Sequence, residues 1–498
     1  MDLYKLKSGT DVRGTATEGY GPAVDLSADA VKLISDAFGV WLLARKKNGR
    51  VAVGCDSRLS SSDIKGIVID SLADAGFTVL DCGLCSTPSM FMTTQFKETS
   101  AIAAVMVTAS HHPPEKNGLK FFTPAGGLGS EQISEIIDIA SRAKKAEGRE
   151  RGEIVKDDFM ALYCDFLVDK VRSACGEARP LDGFKIAVDA GNGAGAFYVD
   201  RVLKPLGADT SGSQYLDPDG NFPNHIPNPE NPAAMQSIAD AVVKAGADLG
   251  VIFDTDVDRA AVVDSSGQEI NRNALIALIS AVILKEQPGA TIVTDSVTSD
   301  GLAEFIAAKG GVHHRFKRGY KNVIDEARRL CDSGVNAPLA IETSGHAALK
   351  ENYFLDDGAY LVTRLIIEAV KLRREGKTLT ALLDGLKTAK EELEIRLSFK
   401  TDEWKELGGF IIESVKKLNN KHIKTAPDNY EGVRASVPEL KGWFLIRMSV
   451  HDPIMPINIE SDITGGAGQI ARLLYSYLKA FPGLDVSSLA KSAGLERV

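Results

Sequence analysis

The chain has 498 residues, 44% of them hydrophobic and 25% charged, with a formal net charge of -9. That composition is of a globular protein with several cores, and its acidity argues against nucleic acid as the main partner, though local arginines can still hold an anionic small molecule. No apolar run reaches bilayer-spanning length, no signal-peptide apolar region opens the chain, and six cysteines in so long a chain fit a reducing compartment. A cytoplasmic protein without membrane partners is expected, an organellar one with a removed transit peptide staying open.

Near the start, Ser8-Gly-Thr-Asp11-Val-Arg13-Gly14 sets an arginine in a glycine-bracketed turn. Arg50-Val-Ala-Val-Gly54 reads as a strand running into the turn Cys55-Asp56-Ser-Arg58 and a helix near 62–75. Cys82-Gly-Leu-Cys85 is a CxxC with no second pair at zinc-finger spacing, and reads as small buried hydrophobes at a strand end. An apolar run over 100–107 reads as a buried strand that stops at Thr108-Ala109-Ser110, followed by His111, His112 and two prolines. The prolines remove backbone donors and forbid a helix, so Ser110 is expected on a rigid loop at a strand's end. In α/β proteins chemistry collects at that end. With histidines beside it and Lys120 shortly beyond, Ser110 is a candidate nucleophile or phosphate carrier; a Ser-Pro-rich surface turn is the alternative.

The charged stretch 143–153 reads as a solvated connector. Strand, turn and helix recur at 184–195, leading into a helix near 196–206, and at 290–299, leading into one near 300–309. Three such units suggest three related α/β domains. Between them, Leu249-Gly-Val-Ile-Phe-Asp254-Thr-Asp256-Val-Asp258-Arg259 ends a buried strand in three carboxylates at alternate positions. Like charges that close raise one another's pKa without a cation, and Mg²⁺, which takes oxygen ligands and shares them with phosphate, is the natural neutraliser. A solvated acidic turn is one alternative. The DxDx[TV] nucleophile loop of haloacid-dehalogenase-type phosphatases is another, but it leaves Asp258 and Arg259 unexplained. An apolar run around 274–284 has the length of a core helix. Ala340-Ile-Glu342-Thr-Ser344-Gly-His346 offers a carboxylate, a hydroxyl and an imidazole; Glu342 and Ser344 suit two neighbouring sugar hydroxyls, or else Glu342 caps a helix and His346 is a satisfied loop histidine. The segment 373–387 leads into a tail with strands over 393–399 and 442–447 and helices over 409–418 and 466–480, an α+β pattern. There Arg447-Met-Ser449-Val-His451-Asp452-Pro453 supplies a guanidinium fork and a hydroxyl for phosphate. Domains are expected at 1–152, 153–268, 269–385 and 386–498.

Taken in order, these segments resemble the α-D-phosphohexomutase family, the phosphoglucomutases and phosphomannomutases. Ser8 to Gly14 is similar to its GTDxxRG, Thr108-Ala-Ser110-His-His-Pro to its phosphoserine loop, and Asp254 to Arg259 to its DxDxDR metal loop. Glu342 to His346 is similar to its ExSGH sugar loop, and Arg447-Met-Ser449 to the start of its phosphate loop. Gly54-Cys-Asp56-Ser-Arg58, Asp217 to Asn224, Asn228 to Pro232 and Arg318-Gly-Tyr-Lys321 are lesser matches. The resemblance covers essentially the whole chain. It implies three related α/β mixed-sheet domains plus a smaller C-terminal α+β domain around a central cleft.

It implies interconversion of hexose 1-phosphate and hexose 6-phosphate, glucose and/or mannose, through phosphoserine at Ser110 and a hexose 1,6-bisphosphate intermediate and activator. In that scheme Asp254, Asp256, Asp258 and the phosphorylated Ser110 hold Mg²⁺, and Glu342 and Ser344 contact the sugar in both orientations. Arg13, Lys120 and Arg259 stabilise transition-state charge, and Lys120 and His346 are acid/base candidates. Arg447, Ser449, His451 and Lys321 bind phosphate; His111 and His112 are scaffolding and phosphate contacts, with Asn117 a further candidate. A phosphorylated hexose is the implied partner, the enzyme being a monomer or homodimer.

This sequence departs from the family pattern at Val450 and His451, where Gly and Thr are usual, at Ala340-Ile341 in place of Gly-Gly, and at Arg318. The first departure is the support for a rival, a non-catalytic sugar-phosphate-binding descendant. Thr108 and Thr343 look more like the glucose/mannose mutases than a phosphoglucosamine mutase, which stays open as a second alternative.

Overall fold

A computed structural model describes residues 2–45, 48–146, 148–427, 429–449 and 452–495. The chain forms two compact units, Met1–Val282 with Ser344–Leu382, and Ile283–Thr343 with Leu383–Val498.

The first unit opens with a sheet in which Ala101–Val107, Arg50–Cys55 and Thr78–Leu84 run parallel, Arg50–Cys55 in the middle. Parallel neighbours need crossovers, which the helices Ser61–Asp74 and Thr87–Met92 supply. Strands covered on both faces carry continuous apolar runs, and Val51 to Cys55 and Ala103 to Val107 are buried throughout. Lys116–Thr123 lies antiparallel to Ala101–Val107, and Asp11–Thr15 antiparallel to Lys116–Thr123, so Arg13, Lys120 and the loop after Val107 share one region of this sheet. Ser27 caps the helix Ala28–Ala44, whose Ile34, Phe38 and Trp41 recur at helical spacing and join Val51, Val53 and Val105 in the core.

A second sheet sets Leu249–Phe253 parallel to Ile186–Asp189 and antiparallel to Ala260–Asp264. The hairpin loop 254–259 carries the three carboxylates. The helix expected over 196–206 is a π-helix Tyr198–Leu203 followed by a 3₁₀ turn Lys204–Leu206. Pro205 has no N–H for the i−4 carbonyl, so an α-ladder cannot run through it, and Gly207 closes the turn at φ 101°. The hairpin of Ala347–Leu349 and Leu355–Asp356 and the largely buried helix Gly358–Arg374 complete the unit.

In the second unit Thr291–Thr294 runs parallel to Val312–Arg315 and Leu339–Ile341. A separate antiparallel sheet runs Lys424–Thr425, Val433–Val437, Gly442–Ile446, Ile454–Ser461, Glu391–Phe399 and Leu484–Asp485. Helices Trp404–Lys416 and Gly466–Leu478 share its core. The first starts earlier than its periodicity predicted: Trp404 and Leu407 pack on that core, but Gly408 and Gly409 interrupt the apolar pattern. The fold class is the expected one, α/β sheets followed by an α+β sheet. No helix among the described residues is long and apolar enough to cross a membrane. All six cysteines are free thiols, Cys82 and Cys85 being buried.

Candidate active site

The strand Ala101–Val107 ends three residues before Ser110, which sits at φ 54°, in the left-handed region that a residue with a Cβ avoids. Its N–H donates to Thr108 Oγ1 at 2.8 Å, and its hydroxyl donates to Asp254 Oδ2 at 3.1 Å, 144 residues along the chain. His111 Nδ1 lies 3.2 Å from the same hydroxyl. Burial, then Arg259, His112 and Arg13, push the His111 imidazole far below its ordinary pKa, and burial followed by Arg13 pulls His112 down to about 4. Both rings are therefore neutral near pH 7, and Arg13 and Arg259 act on the same small volume. Arg13 Nη2 is held by Asp11 Oδ2 at 2.7 Å.

Asp254, Asp256 and Asp258 are buried, and one oxygen from each lies within 4.8 Å of the others. Their backbone is strained between them: Val257, β-branched, stands at φ 67°, with its carbonyl accepting from Gly358 N at 3.1 Å. Lys120 Nζ reaches Asp256 Oδ2 at 2.9 Å and Asp258 Oδ2 at 2.5 Å. Burial, then Asp258 and Asp256, pushes the Asp254 carboxyl well up. Burial would do the same to Asp258, but Lys120, His346 and Arg259 hold it below its ordinary value. Asp256 Oδ1 and Asp258 Oδ1 are buried with no hydrogen-bond partner among the described residues. Two carboxylate oxygens without a hydrogen bond, in a buried triad, fit a hard divalent cation of the kind the resemblance implies.

Arg259 Nε donates to His346 Nε2 at 2.8 Å, and Nη1 reaches Glu230 at 3.3 Å. On its other side the His346 ring meets Asp356, which with Asp258 raises its pKa against burial. Ser344 is buried in the same unit.

The second unit holds the remaining predicted residues. Glu342 Oε1 accepts from Gly319 N at 2.6 Å, the residue that caps helix Tyr320–Asp332, so the capping contact weighed from sequence exists. Thr343 Oγ1 donates to Asp295 at 2.8 Å. Arg447 Nε is buried with no hydrogen-bond partner among the described residues, and burial lowers the guanidinium pKa. Ser449 Oγ accepts from Asp452 N at 3.2 Å. Lys321 pairs with Asp325 at 3.1 Å along its own helix. His451 and Val450 lie outside the described residues. Arg318 Nε stands 4.0 Å from Asp295, and its N–H donates to Glu431 at 3.0 Å.

Asn117, the further candidate, donates its amide nitrogen to Ser60 and Ser61 at 3.0 Å and accepts from Gly118 N on its oxygen, so it ties a helix start to a strand. Thr87 was missed: its hydroxyl donates to Asp256 Oδ2 and its N–H to the Asp256 carbonyl at 2.8 Å. So were Asp356 behind His346, and Glu431, which accepts from Ser296 and Arg318. No local spacing signals these partners, because each acts across a fold contact.

A buried hydroxyl on a strained loop, facing a carboxylate triad on a hairpin of an α/β unit, defines a phosphoryl-handling class of site. Models described as phosphoglucomutase/phosphomannomutase, alpha/beta/alpha domains I, II and III, match residues 5–147, 161–267 and 271–389. A phosphoglucomutase/phosphomannomutase of Thermococcus kodakarensis is 31% identical over 468 residues, covering 92% of this chain and 95% of that one. A phosphomannomutase/phosphoglucomutase of Pseudomonas aeruginosa is 30% identical over 475 residues, 94% of each. The crystal structure of a phosphoglucomutase/phosphomannomutase family protein from Burkholderia thailandensis superposes with a TM-score of 0.79 at 28% identity, covering 97% of this chain and 99% of that one. The chain belongs to the phosphoglucomutase/phosphomannomutase family. Mutase activity, of the isomerase class, goes with that membership.

Proposed function

We propose that this chain interconverts hexose 1-phosphate and hexose 6-phosphate, of glucose and of mannose, with Ser110 as the phosphoryl carrier. The observation that supports it most is the Ser110 hydroxyl 3.1 Å from Asp254, beside a buried carboxylate triad that also receives Lys120. Phosphorylated Ser110 gives its phosphoryl group to the free hydroxyl of the hexose monophosphate. The Ser110 O–P bond breaks, the sugar O–P bond forms, the sugar hydroxyl loses its proton, and the Ser110 oxygen takes one up to become a hydroxyl again. A hexose 1,6-bisphosphate results, which also serves as activator. After it turns over, its other phosphoryl group returns to Ser110. Asp254, Asp256 and Asp258 would hold Mg²⁺, whose chemistry is to neutralise charge on the transferring group.

Lys120 and His346 are the groups able to move the sugar's proton, and Arg13 and Arg259 add positive charge beside the reacting oxygen. Glu342 and Ser344 contact the sugar's O3 and O4 hydroxyls in both orientations. Arg447, Ser449 and Lys321 take the phosphate that is not reacting. Arg447 suits this because its buried Nε has a donor to give. Glucose and mannose differ at C2, which O3 and O4 contacts do not read, so both are substrates. A reducing, cytoplasmic setting fits the free thiols.

The test pairs a coupled assay of glucose 1-phosphate conversion with intact-mass detection of phosphate on Ser110, repeated with mannose and glucosamine 1-phosphates. Flux with glucose and mannose, and none in Ser110→Ala, is expected. A phosphorylatable Ser110 without mutase flux, or flux surviving in Ser110→Ala, would overturn the reading.

A further inference from the structure

Behind the Ser110 loop lies an arginine that the chemistry above does not use. The Arg58 side chain is wholly buried and pairs with Asp56 at 3.2 Å. Its Nη1 donates to the carbonyls of Pro113 at 2.7 Å and Lys116 at 2.9 Å. Its Nη2 donates to the carbonyls of Ser110 and His112, the latter at 2.5 Å. One guanidinium thus gathers four carbonyl oxygens of the segment 110–116. Asp56 completes the frame: its carboxylate accepts from Arg58 N at 3.0 Å, Ser61 Oγ at 2.7 Å and Thr108 Oγ1 at 2.7 Å, and Thr108 Oγ1 is what receives the Ser110 N–H.

A lid closes the frame from a different part of the first unit. Phe222 lies over the guanidinium, 5.2 Å from ring centre to Arg58 Cζ. The turn before it runs so close that a Cβ on Gly220 would stand 2.3 Å from Leu59 N and 2.8 Å from Arg58 Cα. Two sequence motifs without a role so far, Gly54 to Arg58 and Asp217 to Asn224, therefore meet at one point.

We propose that Asp56 and Arg58, lidded by Phe222, are positioning residues for phosphoryl transfer at Ser110. This rests on the reading of Ser110 as the carrier. Two physical effects carry it. Carbonyls of planar trans peptides turned toward Arg58 turn the following N–H groups away from it, so His111 N–H faces away from the guanidinium and the loop's negative ends lie on the Arg58 side. Ser110 is held at φ 54°, which unconstrained backbone leaves, and its carbonyl is one of the four that Arg58 holds. Lysine keeps the charge but cannot fork to four carbonyls.

The experiment compares wild type, Arg58→Lys, Phe222→Leu and Ser110→Ala. Loading of Ser110 from glucose 1,6-bisphosphate is followed by intact mass in a single turnover, with kcat and KM from the coupled assay and a melting curve for each. In Arg58→Lys the single-turnover rate constant and kcat are expected to fall about tenfold to a hundredfold, with KM changed by less than about threefold. A merely structural role would instead lower the amplitude, the fraction of competent protein, and leave the rate constant alone; that result overturns the proposal. Should Arg58→Lys not fold, Phe222→Leu decides by the same constant, expected to fall about threefold to tenfold and overturning the proposal if unchanged. A dead Ser110→Ala beside a wild-type rate constant in Arg58→Lys sinks the Arg58 role alone, whereas flux in Ser110→Ala sinks the carrier reading and this role with it.

Discussion

At Asp256 the two carboxylate oxygens have different surroundings. Oδ2 takes the Thr87 hydroxyl and the Lys120 ammonium, while Oδ1 is buried without a hydrogen-bond partner among the described residues. The two donors fix the carboxylate plane and leave Oδ1 as the oxygen that would face the proposed cation. Thr87→Val keeps the shape and removes the hydroxyl. Mg²⁺ affinity, measured by isothermal titration calorimetry, is expected to weaken roughly tenfold to a hundredfold, as for other outer-shell losses. Unchanged affinity would mean that Thr87 does not orient the ligand. Asp256 was legible because three carboxylates crowd the loop just after a strand end; Thr87 was not, because it stands 169 residues away and only the fold brings it there.

Among the elements, the helix Gly358–Arg374 starts on a titrating cap. Asp357 Oδ1 accepts from Tyr360 N at 2.8 Å and Tyr163 Oη at 2.7 Å, and Oδ2 accepts from Asn352 Nδ2 at 3.0 Å. Burial pushes this carboxyl up to about 6 against the pull of those donors. The native state thus keeps a proton that the unfolded chain releases near pH 4, so native stability falls as pH rises from about 4 to about 6 and stays lower above it, by at most about 3 kcal/mol. Asp357→Asn retains a carbonyl oxygen for Tyr360 and Tyr163. Its amide can donate to Asn352 Oδ1, now buried with no hydrogen-bond partner among the described residues, once that side-chain amide turns over. Melting temperatures by calorimetry between pH 4 and 6 are expected to decline less in the variant, and parallel curves would exclude Asp357 as the source. The strands were the legible elements, their apolar runs ending where the parallel sheet ends. The helix after Gly195 was legible in place but not in type, because periodicity does not register the hydrogen bond that Pro205 withholds.

At the scale of the molecule, the motif from Glu342 to His346 reads in sequence as one piece, yet the two compact units divide between Thr343 and Ser344. Glu342 and Thr343 are tied to Gly319 and Asp295, and His346 to Arg259 and Asp356. Contacts distant in sequence decide that split, and spacing carries no record of them. It has a thermodynamic consequence. Ser110, Lys120 and all three aspartates belong to the first unit, so a cation bound by them stabilises that unit's native state by mass action, about 2.7 kcal/mol at a hundredfold excess over Kd. Calorimetry of the full chain is expected to show a melting temperature that Mg²⁺ raises and chelation lowers. Asp256→Ala should abolish that shift. A shift retained in Asp256→Ala would place the cation somewhere other than the Asp254–Asp258 loop.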